Sequence, residues 1–481
     1  MIATSWKCSR TAPGSSWTQG LILCSCENCA ALNRTSVLLR EEVFRSDPDR
    51  DHDIVTGLRN TTARIIMNLN TARTESGQTA LVTLYGQLAM LGLQIDLDVP
   101  DVPLVGPQPP LIGRRLAAAL LDYSDDLMPR GSSHVTGRPE IVFAFGEADA
   151  ADATVRISWT TSELLVRPGT HHVPVPAANA PTLVAIAASA AAAAEGIRAA
   201  VPVIAQRLDA PAQLAPYWMF PGTRDVHVEL GDLIADENGD IGRLDAVSGG
   251  AITQSALFCL LRVPGVSGRV RVLENDVLDI SNLNRYPLAR RSNVGHAKVD
   301  VLSAYSTEAF LVSGSRQRLD ESTLGTLQPF APRMIVGVDT IPDRWFAQRA
   351  IAGGRLCVAC TGLKYAVASE HLPRSACIGC GHAKDEDVPG PTPTIGFLSL
   401  WAGIAQAALL LNHGDNRRAR AIEMWPLGLD EPHGINTYVP APNPNCPLEC
   451  EASRLRRVGT STDSDLSLPK IGPTGPGILL N

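Results

Sequence analysis

The stretch DISNLNRYPLARRSNVGHAK, residues 279–298, crowds asparagines, arginines and a lysine into one short polar segment directly after an apolar, strand-like run. That density of N–H donors suits a polyanion, because an arginine fork and a lysine point charge both answer phosphate oxygens. A triphosphate, with about four negative charges, absorbs several such donors, whereas a ribose and one pyrophosphate need fewer.

The elements that must position these groups are legible around them. GRLDAVSGGAITQSALFCLLRVPGVSGRVRVLENDVLD reads as strand, glycine turn, helix, turn and strand, a βαβ crossover of parallel-sheet type. Its turn offers unpaired helix N–H groups and a positive dipole end to a phosphate. In a Gly-x-Gly-x-x-Gly register the turn supplies only the middle glycine, Gly250, with Ser248 and Thr253 in the outer places. A strand-to-helix turn without a ligand has the same pattern. Glu274 falls where a doubly wound fold sets an acid against a ribose hydroxyl pair, and Asp276 follows on the same face. Asp339 ends a third buried strand in PRMIVGVDTIPDRWFAQRA, on the ligand side of such a sheet, where a carboxylate can hold Mg²⁺. Each residue has a plain structural alternative: Asp339 as a helix cap, Lys298 as solvated surface, Arg285 paired with Glu274 or Asp279. Their order along one scaffold favours a shared site.

At this point LENDVLDISNLNRYPLARRSNVGHAKVDVL resembles the adenylation core of the ThiF-type superfamily, which contains the ubiquitin-activating enzymes and the molybdopterin- and thiamine-biosynthesis adenylyltransferases. The likeness covers about residues 240–425. It implies ATP as substrate, with Gly250 in the phosphate turn, Glu274 on the ribose, Asn282, Arg285 and Lys298 on the phosphates, Asp339 on Mg²⁺, and Asp276 organising the phosphate and metal site. The reaction it implies is adenylation of a C-terminal carboxylate of a ubiquitin-like or sulfur-carrier protein, or of a peptide, with release of pyrophosphate. Such a carboxylate is already ionised at neutral pH and needs no general base, so positioning and charge neutralisation supply the catalysis. Arg285, Lys298 and Asp339 would carry it. The sequence departs from the family at Ser248 and Thr253, where glycine is usual, and at Tyr286, where many relatives have glutamine.

Nine of the eleven cysteines fall in three close pairs and one triplet, which favours metal over disulfides. CIGC (Cys377, Cys380) and NCPLEC (Cys446, Cys450) resemble the two separated pairs that hold structural zinc in this superfamily, and four thiolates at such spacings suit a closed tetrahedral site. Cys357 and Cys360 in RLCVACTG read as core strand, Cys8 and Cys259 as unremarkable thiols. The triplet Cys24, Cys26 and Cys29 could bind metal but lacks an evident fourth ligand, Cys8 being the nearest. In the superfamily a crossover segment lies between the zinc pairs and sometimes carries a thioester-forming cysteine. Here Thr392 and Thr394 occupy it, so no catalytic cysteine is expected.

The fold class expected is α/β: a Rossmann-like doubly wound adenylation domain at 226–425, preceded by a degenerate, inactive half at 111–225 and an N-terminal α/β or α+β region at 1–110. A C-terminal segment at 426–481 brings the second cysteine pair and a flexible tail. EADAADA after IVFAFG is acidic and would repel an anion, so the earlier half has lost any nucleotide. The Ala-rich run after it resembles a crossover helix of relatives built from two fused halves. Either this chain contains its own second half or it forms a homodimer, and the sequence does not name the arginine that would reach across. A net charge of −7 disfavours nucleic acid or anionic membrane as partner, no run long enough to span a bilayer is evident, and no secretory signal is seen, so a reducing cytoplasm is expected. Two other functions stay open: a leader-peptide-binding adaptor without adenylation, and a dinucleotide oxidoreductase, for which no hydride-transfer acid is placed.

Overall fold

The structure, a computed structural model, describes residues 27–44, 50–127, 139–209, 225–234, 239–362, 364–384, 394–412, 421–426 and 434–460. Cys8, Cys24, Cys26, Thr392 and the segment 461–481 lie outside the described residues.

Two sheets form. The first contains β1 (Thr62–Ile66), β2 (Gln94–Asp98), β3 (Ile141–Phe145), β4 (Val155–Trp159), β5 (Glu163–Pro168) and β6 (Val226–Glu229), in the order β2-β1-β3-β4-β5-β6. The second contains β7 (Asp240–Val247), β8 (Ser267–Leu273), β9 (Phe310–Ser315), β10 (Arg333–Val336), β11 (Arg355–Thr361), β12 (Ala366–His371), β13 (Ala421–Met424) and β14 (Ile435–Tyr438), in the order β14-β13-β12-β11-β10-β7-β8-β9. The helices that matter below are α1 (Asn33–Leu39), α2 (Glu75–Met90), α3 (Thr182–Leu208), α4 (Ala251–Leu260), α5 (Lys298–Ser303), α6 (Ile341–Ala350), α7 (Ile378–Gly381) and α8 (Gly396–Leu411).

The two sheets repeat one plan. In each, a parallel core (β2-β1-β3-β4 and β9-β8-β7-β10-β11) is extended on one side by antiparallel strands. In each, a buried helix follows the central strand (α2 after β1, α4 after β7) and a long apolar helix links two antiparallel strands (α3 between β5 and β6, α8 between β12 and β13). Strands such as β3, IVFAF, buried along their whole length, are continuous apolar runs because helices cover both faces of a parallel sheet. The sheets run across residues 110 and 425: β1 and β2 pair into the first sheet with β3, and β14 pairs with β13.

Both halves share one core, in which α3 packs on α8. Two arginines of the second half grip the Pro-rich segment of the first. Arg262, fully buried, donates to Gln108 Oε1 at 3.2 Å and to the Pro109 carbonyl, and Arg290 donates to the Pro110 carbonyl at 3.0 Å. That same segment covers the start of α2: Val105 N–H donates to Gln78 Oε1 at 2.7 Å, and Gln78 Nε2 donates to the Pro103 carbonyl at 2.9 Å. The place on the first sheet that matches the glycine turn of the second is therefore filled by protein. One expectation needs correction. By length and composition α3 is apolar enough to cross a bilayer, yet 94% of its apolar window is buried inside the protein, so its hydrophobicity serves this core.

Helix α4 is pressed against α8 at Gly403, where an added Cβ would lie 2.4 Å from Ser255 Cβ and 2.6 Å from the Ala256 nitrogen. Backbone cannot yield there as a flexible side chain could. Gly403→Ala is expected to cost about 3 kcal/mol, the upper part of the overpacking range, as read from thermal or denaturant unfolding.

Candidate functional site

A cavity of about 310 Å³ opens over the C-terminal ends of β7, β8, β10 and β11. This is where open α/β sheets take ligands, and the volume is at the lower end of the roughly 300–1,000 Å³ typical of ligand sites. Gly250, Glu274, Asp276, Arg285, Lys298 and Asp339 all line it.

The glycine turn after β7 is tightened by Ser248, whose φ of 81° lies in the left-handed region. Its Oγ accepts from Gly250 N–H at 3.1 Å, while Gly249 N–H donates to Glu274 Oε2 at 3.0 Å. Thr253, in the place of the third glycine, is buried, and its hydroxyl finds room because residue 337 is glycine: a Cβ there would lie 3.2 Å from Thr253 Oγ1. Ser248→Gly is expected to stabilise the fold by about 1 kcal/mol, the lower part of the range for relieved left-handed strain. It also frees the Gly250 N–H for a ligand. Thermal unfolding and ATP titration check the two effects.

The loop of residues 277–298 returns on itself, with Leu278 N–H donating to the His296 carbonyl and Lys298 N–H to the Asp276 carbonyl at 3.1 Å. Its donors then divide. Asn282 does not line the cavity: its Oδ1 accepts from Asp279 N–H at 3.0 Å, and Asp279 in turn caps the short turn at Ser281 N–H. Asn284 steadies Arg285, accepting from Nη1 at 2.8 Å while its own Nδ2 donates to Thr35 Oγ1 at 3.2 Å. Arg290 grips the other half and Arg291 pairs with Glu27. Arg285 and Lys298 are the cations of the stretch that reach the cavity wall.

Lys298 Nζ sits 2.9 Å from Asp276 Oδ2 and 3.7 Å from Glu274 Oε2. Burial alone would lower its ammonium, but the Tyr286 hydroxyl, Glu274 and Asp276 hold it above its ordinary value. Arg285 is the opposite case. Burial first, then repulsion from Arg34, push its guanidinium down to about 10. Asp339 stands just beyond β10 with an exposed side chain, and the helix cap belongs to its neighbour: Thr340 Oγ1 accepts from Asp343 N–H at 3.3 Å. Neither Glu274 nor Asp279 forms an ion pair with Arg285 among the described residues.

Sequence reasoning missed several wall residues. Arg34 enters from α1, in a segment whose weak patterning hid it. Arg318, bonded to Asp343 at 2.6 Å, and Arg344 on α6 also line the cavity, as do Cys360, Thr361, Thr394 and Ser399. For Arg344 the available signal was its place in the first turn of the helix that follows the strand-end aspartate. Cys357 and Cys360 lie in β11 as expected of core strand, and burial raises both thiols. Cys29 is buried, with Sγ 3.4 Å from His52 Nδ1.

The sulfurs of Cys377, Cys380, Cys446 and Cys450 lie within 4.8 Å of one another. The separations of 3.4 Å for Cys377–Cys446, 3.5 Å for Cys380–Cys450 and 4.0 Å for Cys377–Cys380 bracket the roughly 3.8 Å expected between thiolates bound tetrahedrally at about 2.3 Å from zinc. Gly379 is required by the approach, since a Cβ there would meet Cys446 Sγ at 3.1 Å and Leu448 at 2.9 Å. The cluster is compatible with zinc: four thiol donors, three of them buried, at one point.

No family model matches the chain. The uncharacterized protein y4jF of Sinorhizobium fredii (strain NBRC 101917 / NGR234) is 33% identical over 113 residues, which span 23% of this chain and only 22% of that protein's length. Two solved structures of E. coli MccB, one with succinimide and one with MccA, align with TM-scores of 0.35 and 0.36 at 15% and 14% identity, each covering 61% of this chain and 97% of the solved one.

Proposed function

We propose that this chain is an ATP-dependent adenylyltransferase that activates the C-terminal carboxylate of a peptide or of a ubiquitin-like or sulfur-carrier protein. The observation that carries the reading is the meeting of the α4 turn, Glu274, Lys298, Arg285 and Asp339 on the wall of one cavity. In it, Glu274 receives the ribose, Arg285 and Lys298 neutralise the phosphates, and Asp339 with Asp276 holds the magnesium ion. Magnesium, when bound, neutralises charge that builds on the leaving pyrophosphate. Arg285 and Lys298 are held in place before substrate arrives, so their contribution costs little reorganisation. The first half, with its own turn filled by residues 103–108, is read as the degenerate partner, and Arg34 as the arginine that completes the site from outside the second sheet. The four-cysteine centre is read as structural zinc, and the compartment as cytoplasm.

One observation favours a peptide-binding adaptor instead: the Gly249 and Gly250 N–H groups, which a phosphate would use, already donate to Glu274 and Ser248. ATP–pyrophosphate exchange with candidate C-terminal peptides separates the readings. Peptide-dependent exchange supports the enzyme. Tight peptide binding with neither exchange nor ATP affinity rejects it for the adaptor.

A further inference from the structure

Helix α7 carries Cys377 at its start and Cys380 within it, and it is a single turn that cannot sustain itself. Its position is set by the sulfur cluster on one side and α6 on the other. Three bonds make the second junction: Ile378 N–H donates to Gln348 Oε1 at 3.2 Å, Trp345 Nε1 donates to the His382 carbonyl at 3.0 Å, and Arg344 Nη1 lies 3.4 Å from His382 Nε2. The same buried guanidinium donates from Nε and Nη2 to the Val338 carbonyl, at 3.2 and 3.1 Å, and from Nη2 to the Asp339 carbonyl at 3.3 Å. A continuous line of contacts thus joins the cysteine centre to the turn that presents the Asp339 carboxylate to the cavity. Arg344 is tied to the main chain of that turn, so a shift of its guanidinium moves the aspartate.

We propose that Arg344 and His382 are positioning residues for Asp339, and that the four-cysteine centre is the fixed point against which they act. This rests on the reading of Asp339 as a magnesium-holding residue. Loss of the centre's metal then weakens magnesium-dependent nucleotide binding while the remainder of the nucleotide site persists.

The test uses the full chain and calorimetric titration of ATP with and without added Mg²⁺, with bound zinc measured in parallel. His382→Ala is expected to remove about tenfold of the Mg²⁺-dependent gain in affinity, the lower end of the effect of outer-shell partners on metal binding. Its Mg²⁺-free ATP affinity and zinc content should equal those of the parent. His382→Gln, whose amide oxygen can accept from Arg344, should recover most of the gain. Protein stripped of its cluster metal should show the same selective loss, reversed by Zn²⁺. The proposal is overturned if His382→Ala keeps the full Mg²⁺ gain, or if it loses Mg²⁺-free affinity equally, as general damage would cause. If Asp339→Asn abolishes the gain and His382→Ala does not, this inference alone falls; if the parent chain binds no ATP, the nucleotide reading falls with it.

Discussion

Arg285→Ala is expected to lower peptide-dependent ATP–pyrophosphate exchange by about 10³-fold, the effect of deleting one preorganised donor to developing charge. The size follows from how this side chain is set. Asn284 and the Ser281 carbonyl take up its Nη1, and Asn284 is itself fixed by Thr35. Arg285 lines the cavity with its Nη1 already bonded, so its orientation is decided before any phosphate binds. Thermal stability should fall by only about 1–3 kcal/mol, the cost of leaving the Asn284 and Ser281 acceptors unpaired. Arg285→Lys should restore only about tenfold, since an ammonium lacks the fork needed to keep both anchoring bonds and a phosphate contact. Equal loss of exchange and of melting temperature in the alanine variant would instead mark Arg285 as structural.

Cys377→Ser is expected to have the largest effect on stability, about 3–5 kcal/mol, with loss of bound zinc, because a closed thiolate site contributes its binding energy to folding. The damage should be local at first. Residues 376–382 and 443–453 are joined to each other through the cluster and contacts such as Leu448 on Gly379, with Ser453 Oγ on the Asn443 carbonyl, so they should lose hydrogen-exchange protection before β7 and β8 do. Metal analysis and hydrogen exchange on the variant check both parts. A variant that keeps its protection without zinc would show the four thiols to be packing groups.

The second sheet was legible because its signals are local. The β7, α4 and β8 succession is a continuous stretch in which apolar runs alternate with glycine turns, with Glu274 just after β8, Lys298 at the start of α5 and Asp339 just after β10. The first sheet is built from distant pieces: β1 pairs with both β2 and β3, and the register Ala63 with Ile141 leaves no local trace. Hence nothing local in the Pro-rich residues 103–110 shows that they lie over α2 and receive Arg262 and Arg290. Composition also could not sort the donors of residues 279–298. Asn282 and Arg285 look equally suited to phosphate, but the amide closes its own loop and the guanidinium lines the cavity. Arg34 was hidden for the same reason as β1, since only tertiary packing brings α1 to the second sheet.

The most direct test of the shared magnesium–nucleotide site is calorimetric titration of the full chain with ATP in the presence of Mg²⁺, repeated with Lys298→Ala. Saturable one-to-one binding, weakened at least about tenfold by the loss of one charge-assisted contact, is the predicted result. No binding up to about 1 mM ATP, which would leave the site less than about 4 kcal/mol of affinity, would contradict it.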